Sequence, residues 1–436
     1  MRYRKTAGAV ALLTSAALSL TVPAAAQAAP EATPCGASAM VKETLPNGTT
    51  WQLCWRINDK AGLVLDHVYV ATKRYPEPVQ VLDSIRMAQL NVPYDNGDTE
   101  YDDLTAIGLG GYGLETLTGD DCKGGSIRVG SDGGSDPQQR DVLCVSAEPR
   151  GLAYRLHDYQ WDDESEEPTE KVYSQQGHDL VLRTVSKLGW YEYVTEYRLH
   201  DDGQISARLG ATGDLAPSEY STSDNGWPIG NGAAKDYATM HYHNAFWRVD
   251  FNIAGKGGEK VEQYDTTTTG RGSMTAALTT THKTIASEGS FSKVNQRFWR
   301  VVSPTSKNAD GHARSYELAP GASDKYEGHP ETKPDVTFSQ KNLCEKWASD
   351  NAADPECPLD TRTVVDFVKN KEKLTDPVMW VRVGFHHVPR DEDQSPMPMH
   401  WQGFDLVPRD FTEMNPLTPA GREGANGNQS GEETRG

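Results

Sequence analysis

The run from Tyr191 to Leu209 reads as a β-hairpin. Tyr191–Leu199 alternates, His200-Asp201-Asp202-Gly203 turns, and alternation resumes from Gln204 to Leu209. An Asp-Gly turn between two alternating runs is a strong local hairpin signal. The same period of two runs through Trp51–Val70, His241–Ile253 and Met379–His387. Side chains on a strand alternate between faces, so each run has one side to bury and one that can meet water. Helical periodicity is scarce, with Ser339–Ala352 and Val364–Asn370 as the short candidates. Many strands separated by Gly, Asp and Pro turns predict a mainly β fold: a large antiparallel β-sandwich with few short helices.

The N-terminus reads as an export address. Arg2, Arg4 and Lys5 precede an apolar stretch from Gly8 to Val22, and Ala26-Gln27-Ala28 has the small-x-small form of a cleavage site. A signal peptide over residues 1–28 is expected, and with it a secreted, extracellular protein. No later segment is apolar enough to span a bilayer. The formal charge is −19, and removing the three basic residues of the leader leaves −22. That acidity argues against nucleic acid as a partner and for attraction of cations. Six cysteines on an exported chain predict three disulfides. Short loops favour Cys35 with Cys54, Cys122 with Cys144, and Cys344 with Cys357.

No internal repeat or composition break marks a second domain. Residues 29–43 form an N-terminal segment, and 44–416 are expected to be one domain. "DDESEEP" (162–168) reads as a solvated acidic loop. The tail 417–436 lacks apolar anchors and is expected to be disordered.

Chemistry-bearing residues cluster on two strands. His241 and His243 share a face with Ala245, Trp247, Val249 and Phe251. In "VRVGFHHVPRDEDQSPMP", Val381, Val383, Phe385 and His387 share a face, and His386 falls on the other. Parity therefore selects His387 as the inward residue. Three neutral imidazoles suit Cu(II) or Zn(II), and nothing in the pattern separates the two. A third strand carries Tyr191, Tyr193, Thr195 and Tyr197 on one face.

These segments resemble the copper-containing amine oxidases. "HYHNAFWRVDFN" and "GFHHVPRDEDQSPMPMHWQGFDLVPRDFTEMNP" are similar to that family's two copper-ligand segments. "GWYEYVTEYRLHDDGQISARLGATG" resembles the segment whose tyrosine becomes the quinone cofactor. "NVPYDN", "LTGDDCKGGSIRV" and "NGTTWQLCWRINDKAGLVLDHV" resemble further parts of the catalytic domain, in order, from about Thr44 to Pro416. The resemblance is to the catalytic domain alone, without the small domains that commonly precede it in the family.

The resemblance implies copper on His241, His243 and His387, and topaquinone formed from Tyr191. It implies oxidation of a primary amine to an aldehyde by dioxygen, with release of ammonia and hydrogen peroxide. Asp103 matches the catalytic base, nineteen residues before Cys122, and Tyr94 matches the tyrosine that hydrogen-bonds the quinone oxygen. Asp250, Asn252 and Asp376, with the carbonyls of Phe251 and Pro377, resemble positions that bind calcium. Cys122 and Cys144 match the family's disulfide, and a homodimer with interlocking arms is implied. One departure is prominent: Trp190 stands where the family has asparagine before its cofactor tyrosine. Two readings follow: an active oxidase, or a copper-binding relative without the quinone that acts as a binding module or as the partner subunit of an oxidase.

Overall fold

The computed structural model describes residues 35–423, apart from Ser135, 163–166, 218–219, 222–225, 231–236, 271, 273–274, 295, 352–356 and 358–361. The segment expected to be a leader and the residues from 424 onward lie outside the described residues.

The chain opens with an antiparallel meander of β1 (Met40–Thr44), β2 (Thr50–Asn58), β3 (Gly62–Ala71) and β4 (Val79–Pro93). Short β5 (Glu100–Asp102) pairs back on the end of β4 and leads into one helical turn, α1 (Asp103–Ala106). The chain then builds a second sheet from β6 (Ser126–Ser131), β7 (Gln139–Asp162), β8 (Glu167–Leu188), β9 (Tyr191–His200) and β10 (Ile205–Gly213). Three short strands, β11 (Tyr220–Ser221), β12 (Gly226–Pro228) and β13 (Tyr237–Thr239), pair among themselves.

β14 (His241–Phe251) returns to the first sheet, and β15 (Lys260–Thr268) and β16 (Leu278–Ile285) extend the second. The chain then alternates between sheets through β17 (Gly289–Phe291), β18 (Phe298–Lys307), β19 (Ala313–Pro320), β20 (Val336–Gln340), β21 (Pro377–His387) and β22 (Met397–Arg409). A second helical turn, α2 (Val364–Phe367), precedes β21. Among the described residues the first sheet has nine strands in the order β1-β2-β3-β4-β14-β21-β20-β17, with β5 on β4. The second has ten, in the order β16-β15-β18-β19-β22-β10-β9-β8-β7-β6. Every strand pair named is antiparallel, as the alternation predicts.

One apolar core joins the two sheets. Trp247, Val249, Val381 and Val383 from the first meet Tyr197, Leu199, Leu209 and Leu406 from the second. The Trp247 and Phe404 rings cross at 5.4 Å. β14 is buried on both faces, because Phe246 on its outer side packs with Trp380, Val364 and Phe367. Among the described residues, no helix is long and apolar enough to cross a membrane.

The three expected disulfides are present: Cys35–Cys54, Cys122–Cys144 and Cys344–Cys357. Three expectations need correction. Ser339–Ala352 is not a helix: Val336–Gln340 is a strand, and turns follow it. The Asn351 side chain bonds the backbone of Trp347 and the Arg362 carbonyl. Such side-chain bonds give the backbone an alternative to helix. The ends of "DDESEEP" are strand, since Asp162 ends β7 and Glu167 and Pro168 begin β8; 163–166 lie outside the described residues. The start of the tail is anchored: Leu417 is buried, and Arg422 pairs with Asp158 at 2.9 Å.

Candidate active site

β14 and β21 are neighbours, and His241 lies directly opposite His387 in their register. Facing residues of an antiparallel pair share a face, so His241, His243 and His387 all point inward. All three are at most 2% exposed. One ring nitrogen from each falls within 4.8 Å of the others. His386, of opposite parity, points outward: it stacks on Tyr242 at 4.2 Å and bonds Asp95 at 3.0 Å.

β9 brings Tyr191 to this triad from the second sheet. Its hydroxyl is 2.9 Å from His241 Nε2 and 3.2 Å from His387 Nδ1. Gly213 faces Tyr191 across the β9–β10 hairpin. Its φ of +96° suits glycine, and a Cβ there would sit 2.6 Å from the Trp190 carbonyl. Trp190 itself is half exposed, whereas Tyr191 is buried.

Hydrogen-bond partners settle two tautomers. His241 Nδ1 is 3.1 Å from the Thr239 carbonyl, which can only accept, so Nδ1 carries the proton. His387 Nε2 is 3.0 Å from Asp393 Oδ2. Burial pushes the Asp393 carboxyl up, but the His387 hydrogen bond and charge outweigh it and hold the group well below the usual range. Asp393 is thus an acceptor, and His387 Nε2 is the donor. In the neutral, metal-binding form of His387, the lone pairs on its Nδ1 and on His241 Nε2 face one another at 3.4 Å. One phenol proton can satisfy only one of them. His243 Nε2 is buried with no hydrogen-bond partner among the described residues. Burial, with the charge of His387, pushes His241 down to about 3 and, with the charges of His241 and His387, holds His243 well below its usual value. Neutral imidazoles are the form that binds metal. Two converging lone pairs and an orphaned ring nitrogen therefore fit a metal ion, and an all-imidazole donor set fits copper.

Tyr94 lies beside this centre. Tyr94 bridges to His241 through the backbone, and its ring lies 4.8 Å from that of His241. Asp102 faces Asn91 across β5–β4 and bonds both Asn91 and Ser349. Asp103 follows as the first residue of α1. It is 8% exposed, and no hydrogen bond reaches its carboxyl from a described residue. Burial, with the Asp102 charge beside it, pushes this carboxyl up to about 7.

The residues carried over as a calcium set sit elsewhere. Asp250 ends β14 far from the histidines, and Lys341 Nζ lies 3.0 Å from Asp250 Oδ2. Among the described residues two groups of three His or Asp side chains are close enough to hold a metal, and neither includes Asp250 or Asp376. The second of these is His387, Asp393 and His400, in which Asp393 bonds His400 Nε2 at 3.1 Å as well as His387. This group is accounted for as a hydrogen-bonded support of His387.

The pattern alone did not single out Asp393, His400, the Thr239 carbonyl or Tyr193, whose hydroxyl is 3.4 Å from His243 Nδ1. Asp393 lies six residues after His387, inside a motif already in view, but motif membership does not tell which acid turns back on the ring.

The family profile described as "Copper amine oxidase, enzyme domain" matches residues 42–423. The chain is 28% identical over 406 residues to copper-containing amine oxidase alpha 2, peroxisomal, of Arabidopsis thaliana, covering 85% of this chain and 59% of that protein. It is 26% identical over 408 residues to a primary amine oxidase of Klebsiella aerogenes, covering 84% and 52%. The crystal structure of Aspergillus nidulans amine oxidase matches the fold with a TM-score of 0.69 at 20% identity, over 85% of this chain and 52% of that one. The chain spans about three-fifths of the length of several of the curated relatives it matches.

Proposed function

This chain belongs to the copper amine oxidase family, and on that footing we propose that it oxidises primary amines, holding copper on His241, His243 and His387 and forming topaquinone from Tyr191. When bound, the metal and quinone supply the redox chemistry by which amine, water and dioxygen become aldehyde, ammonia and hydrogen peroxide. Zinc fits the same nitrogens but has no redox chemistry with which to modify a phenol. The chain's own residues do the rest. His241 and His243 present neutral nitrogens beside His387 in a buried site. Asp393 fixes the His387 tautomer. Asp103 accepts the α-proton of the substrate at its carboxylate; its raised value of about 7 suits a base working near neutral pH. Tyr94, packed on His241, is the hydrogen-bonding partner of the oxidised ring.

A single observation carries this reading: the Tyr191 hydroxyl touches two of the three copper-site imidazoles, at 2.9 and 3.2 Å. The proposal includes export and a homodimer. Three disulfides support an oxidising compartment. Exposed Leu152, Leu156 and Val172 on the β7–β8 ribbon offer apolar surface for a second copy to cover.

The test is reconstitution. Copper-free protein treated with Cu(II) in air should develop a visible quinone band and a phenylhydrazine adduct. The peptide containing residue 191 should change mass to match. Copper bound without colour, adduct or mass change overturns the oxidase and leaves a copper-binding module or partner subunit, which the exposed Trp190 would favour.

A further inference from the structure

Among the residues implied to hold calcium, Asp250, Phe251, Asn252, Asp376 and Pro377, the Asp250 carboxylate meets a cation that the chain supplies itself. Lys341 Nζ is 3.0 Å from Asp250 Oδ2 and 3.0 Å from Asp83 Oδ2. Arg248 Nη1 adds a second positive group 3.4 Å from Asp250 Oδ2. The side chain of Asn252 is engaged at both ends: Nδ2 donates to Asp83 Oδ1 at 3.2 Å, and Oδ1 accepts from the Gly257 amide at 3.0 Å. The Lys341 amide donates to the Asp376 carbonyl at 2.8 Å, which seats the lysine between β20 and β21.

We propose that Lys341 is a built-in cation standing in place of a divalent ion, so that this position neither needs nor binds calcium. The carboxylates of Asp83 and Asp250 come from paired strands, Asp250 facing Ser84, the neighbour of Asp83. Like charges on adjacent strands repel, and a cation between them removes the conflict. Calcium answers that need with six to eight oxygens at about 2.3–2.6 Å. Here Asn252 offers no negative charge, and an ammonium already contacts one oxygen of each aspartate. Among the fully buried side-chain oxygens of this set in the described residues, Asp250 Oδ1 alone is without a hydrogen-bond partner.

The bridge also has a place in the site's construction. Asp250 and His241 lie at opposite ends of β14, nine residues and roughly 30 Å apart. Lys341 joins β4, β14 and the β20–β21 side at that far end. A one-residue slip between paired strands would turn every side chain to the other face, so the bridge helps to hold His241 opposite His387 from a distance.

Two measurements on the full copper-loaded chain test this, and both are independent of whether Tyr191 is converted. In the first, millimolar calcium is added during thermal unfolding, and terbium(III) luminescence is titrated as a direct probe of a hard-cation site. The Tm should move by less than about 1 °C, and no saturable terbium signal should depend on Asp250. A calcium-dependent rise of several degrees, or saturable terbium binding abolished by Asp250→Asn, overturns the proposal. In the second, Lys341→Gln should lower the Tm by about 2 °C or more, and Lys341→Arg by less. A Lys341→Gln variant as stable as the wild type overturns the bridge. If Lys341→Gln fails to fold while Lys341→Arg folds, the requirement for a cation stands, and the calcium titration of the wild type decides the rest.

Discussion

His387 donates from Nε2 to Asp393 Oδ2 at 3.0 Å, and this pair frees Nδ1, the nitrogen that meets Tyr191 and His241. Asp393 is itself held by the Arg390 amide at 2.9 Å and by His400 at 3.1 Å. Outer partners of this kind orient metal ligands, and their loss costs about 10–100-fold in metal affinity. Asp393→Ala should therefore weaken Cu(II) binding by about that factor, measured by competition with a chelator of known affinity. An unchanged affinity would show that the ring is oriented by packing alone.

Asp103 should govern the pH dependence of turnover. A base must be ionised to accept a proton, so kcat/KM should rise with pH through about 7. Asp103→Asn should remove that limb and lower turnover by about 100-fold or more. Stability should move the opposite way. A carboxyl whose folded value is raised stabilises the protonated form, so its contribution is complete below the unfolded value near 4 and is lost as pH rises towards about 7. The wild type should lose stability relative to Asp103→Asn over that window, by at most about 4 kcal/mol. Denaturant unfolding of both proteins at pH 4 and pH 8 measures the difference.

Trp190 should matter little to the fold. It is half exposed, and its neighbour Tyr191 is the buried member of the pair. Trp190→Asn is expected to change unfolding free energy by no more than about 0.5 kcal/mol and to leave copper affinity unchanged. Any effect should appear in the rate at which colour develops after copper is added. A large loss of stability would mean that the indole packs more tightly than its exposure shows.

Trp247 is the opposite case. It is fully buried, two turns of the strand pattern beyond His243, and its ring meets Phe404 across the sheets at 5.4 Å. Trp247→Ala should cost about 3–5 kcal/mol, read by denaturant unfolding. Because this packing carries β14 against the second sheet, copper affinity should fall with it. A destabilised variant with unchanged copper affinity would separate the core from the site.

Much of the site could be read from the chain because parity is local. A period of two is enough to say that His241, His243 and His387 share an inward face, that His386 does not, and that Trp190 turns away from the Tyr191 side. The hairpin over Tyr191–Leu209 is equally local, since its turn residues lie between its strands. Short loops were enough to pair the six cysteines. Ser339–Ala352 misled for a complementary reason. Its first residues take their conformation from pairing with β21, and the rest from hydrogen bonds to the Asn351 side chain.

Alternation in the sequence by itself determined which face each histidine and tyrosine would occupy, because that depends only on a residue's neighbours in its own strand. Tertiary structure alone decided that β14 lies beside β21, that Tyr191 reaches both across the core, that Asp393 turns back on His387, and that Lys341 stands between Asp83 and Asp250. These contacts join positions far apart in the chain. They exist only because burying two apolar sheet faces against each other makes one register and one strand order more favourable than the rest.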